Sequence, residues 1–209
     1  MWHGAGPPAP SDASKRCLVA ELLKISGSRA TAGPARPAEV TVVMLDDVVP
    51  WRFPPIQQLL YGEWLRTDFE AGRIGPPTAN PDLAILLATA RRDSRPLLGP
   101  PAEDLLDPIP DADLRRAVIE SLPMLLEDLR GDERNVILTL TRMWMTIETG
   151  LIEPKDVAAE WALARLAQEH HDVVALARAG YLGEARDHWS DKTMEVDKAA
   201  AFLAARIAP

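Results

Sequence analysis

Apolar residues recur along most of this chain at helical spacing, and one short stretch departs from it. Residues 133–149 place Val136, Ile137, Leu140, Met143, Trp144 and Ile147 on one stripe, the mark of a helix that buries one face. Similar patterning predicts helices over 111–129, 155–167, 169–180 and 191–207, and a short apolar one over 82–92 entered through Asn80 and Pro81. Near the start, Ser11 or Asp12 can cap a helix that runs to about Ile25. Residues 56–71 also read as helical, with Ile56, Leu59, Leu60 and Trp64 on one stripe. The departure is 39–45, Glu-Val-Thr-Val-Val-Met-Leu, whose β-branched and apolar residues predict a strand. Alternation puts Glu39, Thr41 and Val43 on one face and Val40, Val42 and Met44 on the other. A single strand cannot satisfy its own backbone groups. Its partners are either weakly encoded elsewhere in the chain or encoded upstream.

Proline and glycine punctuate this pattern. Residues 1–11, rich in Gly, Pro and Ala, are expected to be disordered, and 26–37 form a Gly/Pro/Ser loop. Residues 93–110 carry five prolines and form a linker, which divides the chain into 12–107 and 108–209.

Composition narrows the partners. The 209 residues are 47% hydrophobic, enough for one good core or two small ones, and the formal net charge is −8. An acidic chain repels phosphate backbones, so nucleic acid is a poor candidate, whereas a cationic partner is concentrated by a negative cleft. No apolar run reaches the length of a membrane span, and the first ten residues do not have the form of a secretory signal. A soluble cytoplasmic protein is expected. The one cysteine, Cys17, can close no internal disulfide and is read as a buried, inert thiol within the first helix. His170 and His171 are adjacent on a helix, do not face the same way, and are read as surface residues rather than metal ligands.

Several blocks together carry a resemblance. They are Pro50-Trp-Arg-Phe-Pro-Pro55, Tyr61-Gly-Glu-Trp-Leu-Arg-Thr-Asp68, Asp82-Leu-Ala-Ile-Leu-Leu87, Gly131-Asp-Glu-Arg-Asn-Val-Ile-Leu-Thr-Leu-Thr-Arg142, Pro154-Lys-Asp-Val-Ala-Ala-Glu-Trp161 and Gly180-Tyr-Leu-Gly183. In this order and near this spacing, from residue 12 to the C-terminus, they resemble the aminoglycoside (3'')(9) adenylyltransferase family. The resemblance implies an α+β fold: a nucleotidyltransferase domain with a mixed sheet and helices, incomplete here over 12–107, followed by an all-α helical bundle over 108–209. It implies ATP and magnesium as cofactors, and transfer of AMP to a hydroxyl of spectinomycin or streptomycin. A small-molecule partner and a monomer are expected, with no nucleic acid or membrane.

The resemblance also assigns roles. Glu39 matches a carboxylate proposed as general base; taken alone it is equally a solvated acid at a strand start. Trp64 aligns with a tryptophan that packs against the drug, although residue type and spacing alone favour a core position. Asp128 and Asp132 align with acids that face the drug, and as isolated residues read as helix-terminus surface acids. Arg142 and Lys155 align with cations on the ATP phosphates; Arg142 lies off its helix's apolar stripe, which suits a phosphate contact or a salt bridge. Tyr181 aligns with a tyrosine at the nucleotide pocket, with packing the alternative.

Two departures matter. The family's Gly-Ser turn and strand-borne Asp-x-Asp, which hold phosphate and magnesium, precede the first helix, and only residues 1–10 stand there. Gly27-Ser28 lies after that helix, and Asp46-Asp47 is adjacent rather than alternate, a solvated strand end. No metal ligands are therefore assigned, and the chain as given is expected to be poorly active. The second departure is that 123–128 is shorter than in members that take streptomycin and lacks a tryptophan they carry, which favours spectinomycin. Three readings follow: a transferase whose N-terminal part lies outside this sequence, through a late start or a frameshift; a pseudoenzyme that binds drug, nucleotide or a partner; and an unrelated helical interaction protein. Glu39, Trp64, Asp132 and Lys155 together disfavour the last.

Overall fold

A computed structural model describes residues 8–27 and 36–208. The chain divides into two compact units, one made of the residues up to Leu83 with Ala90–Pro108, the other of Ala84–Thr89 with Ile109–Pro209. The α+β class holds, with the strands confined to the first unit.

In the first unit, helix α1 (Asp12–Ile25) starts where Ser11 Oγ accepts the Ser14 N–H at 3.1 Å, and it buries Lys15, Val19 and Leu22 at i, i+4 and i+7. Strand β1 is shorter than expected, Val40–Val42, because the chain turns into a one-turn helix α2 (Leu45–Val48). The expected helix over 56–71 is not formed. Strands β2 (Ile56–Gln57) and β3 (Leu59–Tyr61) take its place, followed by a 3₁₀ turn (Glu63–Leu65) and the short helix α3 (Arg66–Glu70). β3 pairs antiparallel with β1 in the register Val40↔Tyr61, Thr41↔Leu60, Val42↔Leu59. The strand partner is thus weakly encoded within the chain itself. Helical spacing at 56–64 gave way because β1's exposed backbone groups need a ladder, and Gly62 weakens any helix through this stretch. β2 pairs antiparallel with β4 (Thr78–Ala79).

Leu59 and Tyr61 turn inward with Val19, Leu22 and Phe69, while Val40 and Val42 pack against them. Tyr61 and Phe69 lie parallel, centroids 5.2 Å apart. Cys17 corrects an expectation: it is exposed, because the inward stripe of α1 runs through Lys15, Val19 and Leu22 instead. Helix α4 (Leu83–Asp93) then leads through the proline-rich stretch, which contains the short α5 (Ala102–Leu105).

The second unit is a bundle of α6 (Asp111–Glu127), α7 (Glu133–Thr149), α8 (Lys155–Leu163), α9 (Gln168–Leu182) and α10 (Thr193–Ile207). α7 is its axis: Val136, Ile137, Leu138 and Leu140 are fully buried. Alanines at 159 and 162 on α8, 177 on α9 and 199 and 200 on α10 join the same core and let the helices approach closely. α7 stops at Gly150, whose φ of 74° a side chain would resist, with its N–H bonded to Thr146 O at 2.8 Å. His170, expected at the surface, is buried: α9 turns it onto the Phe202 ring, centroids 4.4 Å apart, and its Nδ1 has no hydrogen-bond partner. Among the described residues no helix is long and apolar enough to cross a membrane.

Candidate active site

In the first unit the expected residues stand just before β1 and in the turn after β3. Glu39 is exposed immediately before β1. Trp64 is not on a core stripe, as its helical spacing had suggested, but is 52% exposed. Its indole lies flat against Gly62: a Cβ there would come within 2.4–2.5 Å of three ring carbons. Gly62 has an extended backbone, so glycine is required for close approach rather than for φ.

The residue between them faces the opposite way and fixes the turn. The Glu63 side chain is 2% exposed and receives Tyr61 Oη at 2.8 Å, Arg66 Nε at 2.7 Å and Arg66 Nη2 at 2.9 Å. Arg66 Nη2 also donates to Ser26 O at 3.3 Å, joining the turn to the end of α1. The Arg66 guanidinium holds the Glu63 carboxyl down to about 2 against its own desolvation. A turn pinned through Glu63 and a glycine under the ring present the indole outward at little entropic cost. Sequence reasoning missed this clamp; its signal was Glu63 and Arg66 at i and i+3 around an aromatic, in the block Tyr61-Gly-Glu-Trp.

The same unit holds an open groove of about 570 Å³, lined by Leu59, Leu60, Leu65, Phe69, Arg73 and Thr78 among others. It contains none of the expected site residues. Asp46 and Asp47 lie on α2 rather than at a strand end; Asp47 accepts Gln58 Nε2 at 2.8 Å. The loop position Ser28 lies outside the described residues. The spacing Asp-x-Asp also occurs at Asp111 and Asp113, but in the first turn of α6, where i and i+2 diverge. Among the described residues no group of three or more His, Cys, Asp or Glu side chains is placed to hold a metal ion.

In the second unit the bundle brings polar residues into a seam along α7. Asp132, at the N-cap, Asn135, Thr139 and Arg142 follow one another at helical intervals of three, four and three, and all are half-buried. Asn135 Nδ2 donates to Asp132 Oδ2 at 2.9 Å. Lys155, the first residue of α8 and also half-buried, donates from Nζ to Asn135 Oδ1. A carboxylate and an ammonium expected to serve different ligands are therefore joined through one amide. Asp128, by contrast, is exposed at the C-cap of α6.

Tyr181 is 51% exposed near the end of α9. Beside it, Arg134 Nη1 donates to Gly180 O at 3.3 Å and to Asp187 Oδ1 at 3.2 Å, while Trp189 Nε1 donates to Asp187 Oδ2 at 2.9 Å. Asp187 lies so close that a Cβ on Gly180 would meet its Cγ at 2.9 Å.

A family model described as "Aminoglycoside adenylyltransferase, C-terminal domain" matches residues 104–206. A spectinomycin 9-adenylyltransferase of Staphylococcus aureus is 50% identical over 190 residues, covering 91% of this chain and 73% of that protein. An aminoglycoside (3'')(9) adenylyltransferase of Escherichia coli is 42% identical over 198 residues, 94% of this chain and 75% of its own length. The crystal structure of a spectinomycin adenyltransferase from Enterococcus faecialis with ATP and spectinomycin superimposes with a TM-score of 0.92 at 34% identity, covering 98% of this chain and 82% of that one. The backbone and much of the sequence are thus shared with these enzymes, and the chain belongs to the aminoglycoside adenylyltransferase family.

Proposed function

We propose that this protein serves antibiotic resistance by transferring AMP from ATP to a hydroxyl of an aminocyclitol antibiotic, with spectinomycin preferred to streptomycin. The observation that carries the reading is the Asp132–Asn135–Lys155 seam, which sets a carboxylate suited to a drug amine beside an ammonium suited to a phosphate. Trp64 offers its exposed face to the drug's cationic rings, and Asp128 adds a rim carboxylate. Arg142, Lys155 and Tyr181 hold the nucleotide. Glu39 takes the proton as the drug oxygen attacks the α-phosphorus; the bond to the β-phosphate oxygen breaks, and pyrophosphate leaves. The magnesium implied by the resemblance has no ligand set among the described residues. ATP is a cytoplasmic metabolite, so its use supports a cytoplasmic reaction.

Titration calorimetry of the 209-residue protein tests the reading. Spectinomycin and ATP should each give saturable binding. Asp132→Asn should weaken spectinomycin at least about tenfold, the range for a charged hydrogen bond, and streptomycin should bind more weakly than spectinomycin. Absence of saturable binding for both drug and ATP would overturn it.

A further inference from the structure

Asn135 is a group that the assigned roles leave out. Its carboxamide spends both ends: Nδ2 donates to Asp132 Oδ2 at 2.9 Å, and Oδ1 accepts from Lys155 Nζ. The backbone beneath it is fixed as well, since Asn135 O accepts Thr139 Oγ1 at 2.7 Å. A planar amide presents a donor and an acceptor in one rigid, uncharged group. Set between a carboxylate and an ammonium, it orients both without neutralising either. A direct ion pair would cancel the charges that the two ligands need, because opposite charges in contact at a half-buried site attract each other more strongly than they attract hydrated ions. The amide avoids this while coupling the two: a turn of the carboxamide toward Lys155 also moves the donor offered to Asp132.

We infer that Asn135 is a positioning residue that holds the drug-binding carboxylate and the phosphate-binding ammonium in one fixed relation, so that occupancy by drug and by ATP is coupled through a side chain assigned to neither. The inference rests on the proposed roles of Asp132 and Lys155.

The test is a binding cycle on the full chain, with spectinomycin and ATP as probes. Asn135→Ala removes both hydrogen bonds and favours the helix, so folding is protected; Asn135→Leu removes them while keeping the branched shape and repeats the measurement independently. Each should weaken spectinomycin and ATP alike, by about three- to tenfold. Asp132→Asn should shift the Kd for ATP about threefold in the wild-type background and leave it unchanged in either Asn135 variant; a merely structural role would not produce that background dependence. If the wild type binds both ligands and the Asn135 variants bind them within twofold of it, or if Asp132→Asn acts equally in every background, the inference is overturned while the functional reading stands. If the wild type binds neither ligand, both fall.

Discussion

The indole of Trp64 rests directly on the backbone of Gly62, two residues back, with no room between them for a methyl group. A half-exposed tryptophan is seated on a missing side chain, and the next residue back, Glu63, anchors the turn through its buried carboxylate. Gly62→Ala should therefore displace the ring without disturbing the strand pair, since the position is extended. Spectinomycin affinity should fall about tenfold, within the range for losing an aromatic anchor, with ATP affinity unchanged. Calorimetry of Gly62→Ala beside Trp64→Ala checks this; equal losses in the two variants support it, and an unaltered Gly62→Ala refutes it.

Acid should loosen the first unit through Glu63. Arg66 depresses this carboxyl to about 2 from 4.5, so its contribution is complete above pH 4.5 and disappears as pH falls through 2. Glu63→Gln should cost roughly 2–3 kcal/mol at neutral pH, the range for breaking a buried charged hydrogen bond. It should also flatten the pH dependence of stability across that window. Urea melts at a series of pH values, followed by near-ultraviolet circular dichroism, provide the measurement.

Gly180 should tolerate no side chain. A Cβ there displaces Asp187, and with it the hydrogen bonds from Arg134 and Trp189. Gly180→Ala is expected to destabilise the bundle by about 1–2 kcal/mol and to speed amide exchange in 183–189, despite alanine's better helix propensity. Slower exchange there, with a higher melting temperature, would contradict the packing described.

The 209-residue chain should bind ligand far better than it turns it over. Metal neutralisation of phosphate charge is worth several kcal/mol in such reactions, and the described residues supply no metal ligand set. Pyrophosphate release with ATP, spectinomycin and magnesium should run about 1000-fold or more below that of a relative that carries the metal-binding aspartates, assayed alongside. A rate within tenfold of the relative would sink this expectation.

The bundle was legible along the chain because its helices satisfy their own backbone and announce their buried face by spacing alone; the extent predicted for α7, 133–149, is the one observed. The strand pair was only half legible. Val40–Val42 declares itself by β-branching, but Leu59-Leu60-Tyr61 carries a spacing that also suits a helix, and only the backbone needs of β1 decide between them. Cys17 and His170 were misplaced for a related reason: which flank of a helix is covered depends on what packs against it, as α10 does on α9 through Phe202.

By itself, then, the sequence determined the helical bundle, the α+β class and the family, since local periodicity and ordered motif blocks require no knowledge of distant contacts. Only the tertiary structure decided that Trp64 faces outward over Gly62, that Glu63 is buried under Tyr61 and Arg66, and that Asn135 joins Asp132 to Lys155. Each of these depends on where separate elements meet. A hydrogen bond across 20 residues, such as that from Lys155 to Asn135, leaves no periodic trace in the chain that forms it.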